Sequence, residues 1–435
     1  MNYKQTLDFL YQAVPMYHLM GSAAYDGKLT KTKQFLSALG HPEKNTRFIH
    51  VAGTNGKGSV THNLASIFQE SGYKTGLYTS PHLKDFRERI CINGKKIPQS
   101  KVVQFVEQNR SLIEEIQPSF FEMTVAMAFE YFAEQKVDIA IIEVGLGGRL
   151  DATNVIQPLL SVITNISFDH MQFLGNTLPS IAKEKAGIIK KDTPVIIGKI
   201  QEETQNVFIK IAQQRHAPCL FAENIFQVKA YKTTLHQHQL WTHYAAYRIQ
   251  DGHKKQVYKQ LISPLGGLCQ EENLATVLAC ADWAEKNKLI SHAAIKKGIK
   301  NCIENTHLMG RWQLLGTKPF IIADTGHNQA GIELISRQLA SMKYQQLHIV
   351  LGVVNDKDLQ HILPLLPPKA TYYFCKADIP RGLDAHILQS EAAKYHLKGE
   401  VYTSIAQALK TAKQHASKKD LIFVGGSTFT VAEVI

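Results

Sequence analysis

One short stretch restricts the folds open to this chain more than any other. Residues 47–71 read RFIHVAGTNGKGSVTHNLASIFQES: an apolar run of strand length, a glycine-rich turn, then a helical pattern. A strand that turns tightly into a helix opens a β–α unit, and repeated units of that kind build parallel sheets covered by helices on both faces. In the turn GTNGKGS, Gly53 to Ser59, the glycines let successive backbone N–H groups point inward, where they bind phosphate oxygens. The helix that follows adds the positive end of its dipole. Lys57 is placed to reach the β- and γ-phosphates of a nucleotide. The general phosphate-loop pattern is met only in part. Val51 stands at its first glycine position, and Gly58 takes the hydroxyl position, with Ser59 one place later. The alternative is a Gly–Asn turn that joins strand to helix and holds no ligand.

The β–α rhythm continues. Arg47–Ala52, Asp138–Val144, Leu160–Thr164 and Pro194–Ile197 read as strands; Gly58–Ser71, Thr124–Gln135 and Leu178–Lys190 read as amphipathic helices. Phe226 to Ser263 breaks the alternation and predicts an antiparallel insert, with a helix over Glu271–Lys286. Near Asn305–Gly316 the pattern restarts. Strands at Phe320–Ala323, His348–Gly352, Tyr372–Cys375 and Leu421–Val424 alternate with helices at Gln329–Met342 and Ile405–His415. A length of 435 residues suits two or three domains. The expected fold is α/β: a P-loop ATPase-type doubly wound domain over residues 1–305, then a smaller Rossmann-like α/β domain over 306–435.

Composition narrows the function. Apolar residues make up 44% and charged residues 20%, which excludes a disordered or fibrous chain. The excess of 49 Lys plus Arg over 37 Asp plus Glu, a net +12, points to anionic partners: nucleic acid, phosphates or polycarboxylates. No basic run interleaved with aromatics stands out, which argues against nucleic acid. Lys4 and Asp8 interrupt the first twenty residues, so no secretory signal is expected there, and no apolar run is long enough to span a membrane. Six scattered cysteines without a CxxC pair suggest buried thiols in a reducing compartment, hence the cytoplasm.

Three further residues carry chemistry. Glu143 ends the strand DIAIIEV just before GLGGR, where a carboxylate faces the crevice at the carboxyl edge of a parallel sheet and can hold Mg²⁺. A solvated strand-end Glu is the alternative. His170, in SFDHMQFLG, falls at a corresponding edge; taken alone it reads as readily as a satisfied loop histidine. Mg²⁺ prefers oxygen, so an imidazole ligand would tolerate Mn²⁺. Lys185 falls in the apolar stripe of its helix, four residues from both Ile181 and Ile189. A buried ammonium must snorkel, find an anion or lose its charge.

These segments together resemble the folylpolyglutamate synthase/dihydrofolate synthase family, a branch of the Mur-ligase group of ATP-dependent amide-bond ligases. The likeness runs through HVAGTNGKGS (50–59), YTSPHL (78–83), ERICING (88–94), SFFEMT (119–124), EVGLGGRLDATN (143–154), SFDHMQFLG (167–175), EKAGI (184–188) and DTGHN (324–328). The resemblance implies that Thr54, Asn55, Gly56, Lys57, Gly58 and Ser59 form the ATP loop, with Asn273, Arg311 and Asp324 as further nucleotide contacts. It implies Ser80, Glu143 and His170 as metal ligands, and Lys185 as a lysine carbamylated to N6-carboxylysine. Lys57, Lys185 and His327 would be catalytic. Phe120, Phe121, Glu122, Leu150, Asp151 and Ala152 would contact the pteroate. The expected partners are dihydropteroate or a reduced folate, L-glutamate and ATP, with Mg²⁺ as cofactor, Mn²⁺ tolerated, and the protein a monomer. The likeness departs from the family at Gly326, where alanine is usual, at MGR (309–311) in place of Pro-Gly-Arg, and at SPLGGLCQEEN (263–273). A cell-wall Mur ligase fits less well: TSPHL and SFFEMT favour a pterin pocket, and 45 amino-terminal residues are short for a UDP-binding domain. A nucleic-acid-dependent P-loop ATPase is the other alternative.

Overall fold

The computed structural model describes residues 1–12 and 28–435, so positions 13–20 of the amino-terminal stretch read above lie outside the described residues. Two compact units make up the chain. The first comprises Met1–Lys229, Ala245–Leu261 and Glu271–His307; the second comprises Ala230–Tyr244, Ile262–Gln270 and Leu308–Ile435. The units therefore alternate along the sequence between residues 229 and 308, where the sequence pattern suggested one boundary at 305/306.

The first unit is built on an eight-stranded sheet. Its strands are β1 (Arg47–Ala52), β2 (Thr75–Tyr78), β3 (Ile90–Ile92), β4 (Lys95–Lys96), β5 (Ile139–Glu143), β6 (Leu160–Ile163), β7 (Val195–Ile197) and β8 (Cys219–Phe221). They lie in the order β4-β3-β2-β5-β1-β6-β7-β8. All neighbours from β2 to β8 are parallel, while β3 and β4 extend one edge as an antiparallel ribbon. From β1 the chain crosses to β2, returns to β5 beside β1, and only then passes to β6 on the other flank. That reversal is a topological switch point, and a crevice opens there at the carboxyl ends of the strands. The ladders run past the strand ends: Val144 N–H donates to Val51 O at 2.9 Å, and Thr164 N–H to Ala52 O at 3.0 Å. Three loops are thus set side by side.

The central strands are buried on both faces, which is why they read as continuous apolar runs. Ala140 and Ile142 pack with Phe48, Phe129 and Phe132 in one core cluster. Further along the same face, Ile163, Val195 and Ile197 pack with Ile181, Ile188 and Phe208 in a second. The helix Lys57–Glu70 is buried along most of its length.

Residues 226–263 form the expected antiparallel insert: β9 (Phe226–His236), β10 (Gln239–Gln250) and β11 (His253–Ser263), a three-stranded sheet in the order β11-β10-β9. Both connections are two-residue turns with positive φ, at Gln237–His238 and Asp251–Gly252. That conformation matches the twist of a tight hairpin, and Asp-Gly is among its strongest sequence signals.

The second unit carries a six-stranded sheet of β12 (Gln313–Thr317), β13 (Phe320–Ala323), β14 (Leu347–Leu351), β15 (Thr371–Phe374), β16 (Lys398–Val401) and β17 (Leu421–Gly425), in the order β12-β13-β17-β14-β15-β16. Only the β12–β13 pair is antiparallel. Alternate side chains divide between two cores: Ile322, Ile349, Leu351, Tyr372 and Phe423 face one, and Ala323, Val350, Tyr373, Ile422 and Val424 the other. Period-two alternation with both faces apolar produces a sheet sandwiched by helices.

Two sequence readings shift. The helix expected over Leu178–Lys190 ends at Lys185 and tightens into a 3₁₀ turn at Ala186–Ile188. Gly187 lies in that turn, where a Cβ would stand 2.3 Å from Arg149 Cα. The helix expected from Thr124 starts at Phe120, because Ser119 and Glu122 form a capping box.

Candidate active site

The loop after β1 is held open from outside. Thr54 N–H donates to Asn165 O (2.8 Å) and Asn55 N–H to Asn165 Oδ1 (3.0 Å), while Thr164 Oγ1 donates to Asn55 O (2.6 Å). Asn165 in turn is gripped by Glu272, its Nδ2 donating at 2.9 Å. None of Thr164, Asn165 or Glu272 was singled out from the sequence. Thr164 and Asn165 sit in a polar stretch immediately after a buried strand, and Glu272 in the first turn of the distant helix Cys269–Lys286; a single sequence separates neither from an ordinary loop or helix start. Gly53 and Gly56 have φ of +140° and +85°; a Cβ would meet Thr164 Oγ1 at 1.8 Å in the first and Asn273 Oδ1 at 2.2 Å in the second. Asn273 therefore lies against the loop, despite the unusual residues leading to it. Gly56→Ala should weaken nucleotide binding at least about tenfold, since both the backbone and Asn273 must move. Titration calorimetry with ADP would measure this, and unchanged affinity would contradict it.

Two lysines meet at one acceptor. Lys57 Nζ donates to Gly53 O and Thr54 O, both at 3.0 Å, and Lys185 Nζ donates to the same Gly53 O at 2.9 Å. Lys185 is 4% exposed and does not snorkel. Burial, reinforced by the charge of Lys57, pushes its pKa down to about 7, with Asp169 and Asp151 opposing. Gly53, Thr54, Lys57, Gly145, Leu146, Asp169, His170 and Lys185 line one small pocket. A concave site that gathers two ammoniums is made for an anion.

Ser80 and Glu143 lie outside that lining and meet each other: Ser80 N–H donates to Glu143 Oε2 at 3.3 Å, and Glu143 is buried. His170 has positive φ, with its Nε2 3.8 Å from Asp169 Oδ2. Among the described residues no three His, Cys, Asp or Glu side chains form a metal-holding group. A hydroxyl, a carboxylate and an imidazole are a different donor set, and one that suits Mg²⁺ or Mn²⁺ rather than a thiophilic metal.

The candidate pteroate residues divide. Phe120 is buried between Tyr11 and Phe86, under the Arg89 guanidinium. Glu122 accepts from Ser119 N–H and Thr32 Oγ1, each at 2.8 Å, so it serves as a cap and a strut. Phe121 is only half-buried, and its ring covers Gly145. Asp151 is buried and Leu150 half-buried. Ala152 is buried and belongs to the core.

Arg311, Asp324 and His327 lie in the second unit. Asp324 accepts from Trp312 N–H and Gly326 N–H, both at 2.8 Å; Arg311 bonds Thr325 Oγ1; His327 Nδ1 sits 3.0 Å from Thr325 O. Burial raises the Asp324 pKa, with Arg311 the largest opposing influence. At Gly326 a Cβ would stand 2.6 Å from the tip of the Ile335 side chain, its Cδ1.

Comparison with known proteins agrees with this architecture. Residues 51–281 match the Mur ligase middle domain and residues 310–428 the Mur ligase glutamate ligase domain. The dihydrofolate synthase/folylpolyglutamate synthase of Bacillus subtilis is 32% identical over 93% of this chain and 94% of its own. The chain belongs to the folylpolyglutamate synthase/dihydrofolate synthase branch of the Mur ligases. As a member it is an ATP-dependent ligase. The structure of Escherichia coli FolC in complex with DHPP and ADP is 30% identical, with a TM-score of 0.82 and coverage of 100% of this chain and 97% of that one. A bifunctional folylpolyglutamate synthase/dihydrofolate synthase from Yersinia pestis, complexed with AMPPNP and Mn ion, is 27% identical at a TM-score of 0.82, covering 100% and 97%. A Haloferax volcanii relative, named a probable bifunctional folylpolyglutamate synthase/dihydropteroate synthase, is 33% identical, and the ligase spans about half (47%) of its length. Among the described residues no helix is long and apolar enough to cross a membrane.

Proposed function

We propose that the ligase is bifunctional: it joins L-glutamate to dihydropteroate, and it adds L-glutamate to the tail of a reduced folate. In both reactions a substrate carboxylate oxygen attacks the γ-phosphorus of ATP, giving an acyl phosphate and releasing ADP. The amine of L-glutamate then attacks the acyl carbon, and the tetrahedral intermediate collapses with loss of phosphate and a proton. Phosphoryl transfer depends on in-line positioning and charge neutralisation more than on covalent help. The observation that carries this reading is the pocket at the switch point, where Lys57 and Lys185 share the Gly53 carbonyl beside the glycine-rich loop.

Lys57 would leave its two carbonyls for the β- and γ-phosphates, with Gly56 to Ser59 supplying backbone N–H groups, since those of Thr54 and Asn55 are bonded to Asn165. Ser80, Glu143 and His170 would hold Mg²⁺ or Mn²⁺, which when bound neutralises charge on the phosphates. Lys185, whose pKa burial pushes down to about 7, is a neutral amine in a large fraction of molecules near that pH and then has the free lone pair that carbamylation by CO₂ requires. N6-carboxylysine there would oppose the Lys57 charge instead of repelling it. Phe121 and Leu150 are the less buried of the pteroyl candidates, with Asp151 shaping their loop. Arg311 and Asp324 are assigned to the nucleotide and His327 to catalysis on resemblance. A cytoplasmic monomer fits this role.

Phosphate release should require ATP, L-glutamate and either dihydropteroate or tetrahydrofolate. Turnover with only one of the two would reduce the reading to a monofunctional ligase, and ATPase stimulated by DNA or RNA alone would overturn it.

A further inference from the structure

A buried histidine that none of the roles above uses ends at the pteroyl loop. His50 lies in β1 opposite Ile142 and is fully enclosed. Its Nε2 stands 2.8 Å from Thr153 Oγ1, Thr153 Oγ1 donates to Asp151 Oδ1 at 2.5 Å, and Leu146 N–H donates to Asp151 Oδ2 at 2.8 Å. A hydroxyl has one proton. Thr153 gives it to Asp151, so its lone pair accepts from His50 and the imidazole carries its proton on Nε2. His50 Nδ1 is buried without a hydrogen-bond partner. That fits a neutral ring, and burial lowers the His50 pKa to about 3, with the Lys190 charge adding to the shift.

The chain of bonds runs from the strand before the phosphate loop to Leu146, which lines the Lys57–Lys185 pocket. Neighbouring groups brace the same loop. Asn154 Nδ2 donates to Arg149 O and Gly187 O, each at 3.0 Å, and Lys190 Nζ donates to Asn154 O at 2.7 Å. Residues 145–154 are therefore fixed to the strand that opens the nucleotide loop and to the segment that follows Lys185.

We infer that His50 and Thr153 are positioning residues for the pteroyl substrate: through Asp151 they set the loop that joins its pocket to the phosphate pocket. This rests on the pteroyl-ligase reading above. Removing the hydroxyl leaves the buried His50 N–H without a partner and takes from Asp151 Oδ1 one of its two donors, the other being Thr153 N–H at 3.0 Å, and the cheapest response is for the loop to move.

Thr153→Val, close in shape to threonine, should raise KM for the pteroyl substrate about tenfold or more while KM for ATP stays within about twofold. Thr153→Ser, which keeps the hydroxyl, should restore it. His50→Gln, which can donate from a similar position, should bind the pteroyl substrate better than His50→Leu. If Thr153→Val does not fold, the His50 pair decides, because Thr153 still bonds Asp151 there. Equal changes in both KM values, no change in either, or no rescue by Thr153→Ser would overturn the inference. Absence of pteroyl-dependent turnover in the unaltered protein would instead overturn the reading beneath it.

Discussion

Lys57→Ala should reduce ADP release in the presence of pteroyl substrate and L-glutamate by about a thousandfold or more, with the fold intact. The expectation follows from where charge develops. The transferred phosphoryl group spreads negative charge over its oxygens, and a preorganised cation in a water-poor site stabilises that charge far more than water does. Lys57 is half-buried, and two carbonyls keep its ammonium at the loop, where phosphate oxygens would replace them. Its side chain does not knit the core, and truncation leaves only the Gly53 and Thr54 carbonyls short of one donor. Coupled ADP release, read beside a thermal melt, tests this. A folded variant that turns over near the normal rate would remove Lys57 from the chemistry.

Lys185→Ala should be nearly as damaging, and its signature differs. As the free amine, Lys185 is protonated in the unfolded chain up to about pH 10.5 but in the folded chain only up to about 7. The unfolded state thus binds more protons between those values, so stability of the unmodified protein rises with pH across that window. The full rise is on the order of 5 kcal/mol. Carbamylation changes the sign of the charge, and it needs the neutral amine, so it is favoured above about pH 7 and opposed below. Native mass spectrometry at pH 8 in bicarbonate should show a gain of one CO₂, lost after acidification. Lys185→Ala should recover activity in part with a small carboxylate such as acetate, while Lys57→Ala should not. Full activity in protein shown to be unmodified would sink the carbamate and leave Lys185 as a structural amine.

The Lys185 stripe was legible because helical periodicity places a side chain on a face without any knowledge of the partner. Its acceptor was not legible. Gly53 is 132 residues away, and only the parallel register of β1 and β6 and the packing of the following helix bring them together. The same limit explains Phe120 and Glu122. Their segment resembles a substrate contact; what the sequence did not show is that Glu122 also closes a capping box on its own helix and that Phe120 is packed in a core. One sequence does not report burial of that kind residue by residue.

By itself the sequence determined the strand–loop–helix opening, the β–α alternation, the antiparallel insert and the family. Each of these is written in local period and turn chemistry, and the family in the order and spacing of short segments. The tertiary structure alone decided which residues grip the loop, that Lys57 and Lys185 share one carbonyl, and that His50 reaches Asp151 through Thr153. It also showed two compact units interleaved in sequence rather than divided at a single point. The physical reason is the same throughout. Local pattern follows from neighbours in the chain, whereas charge pairing, desolvation and close backbone approach depend on neighbours in space.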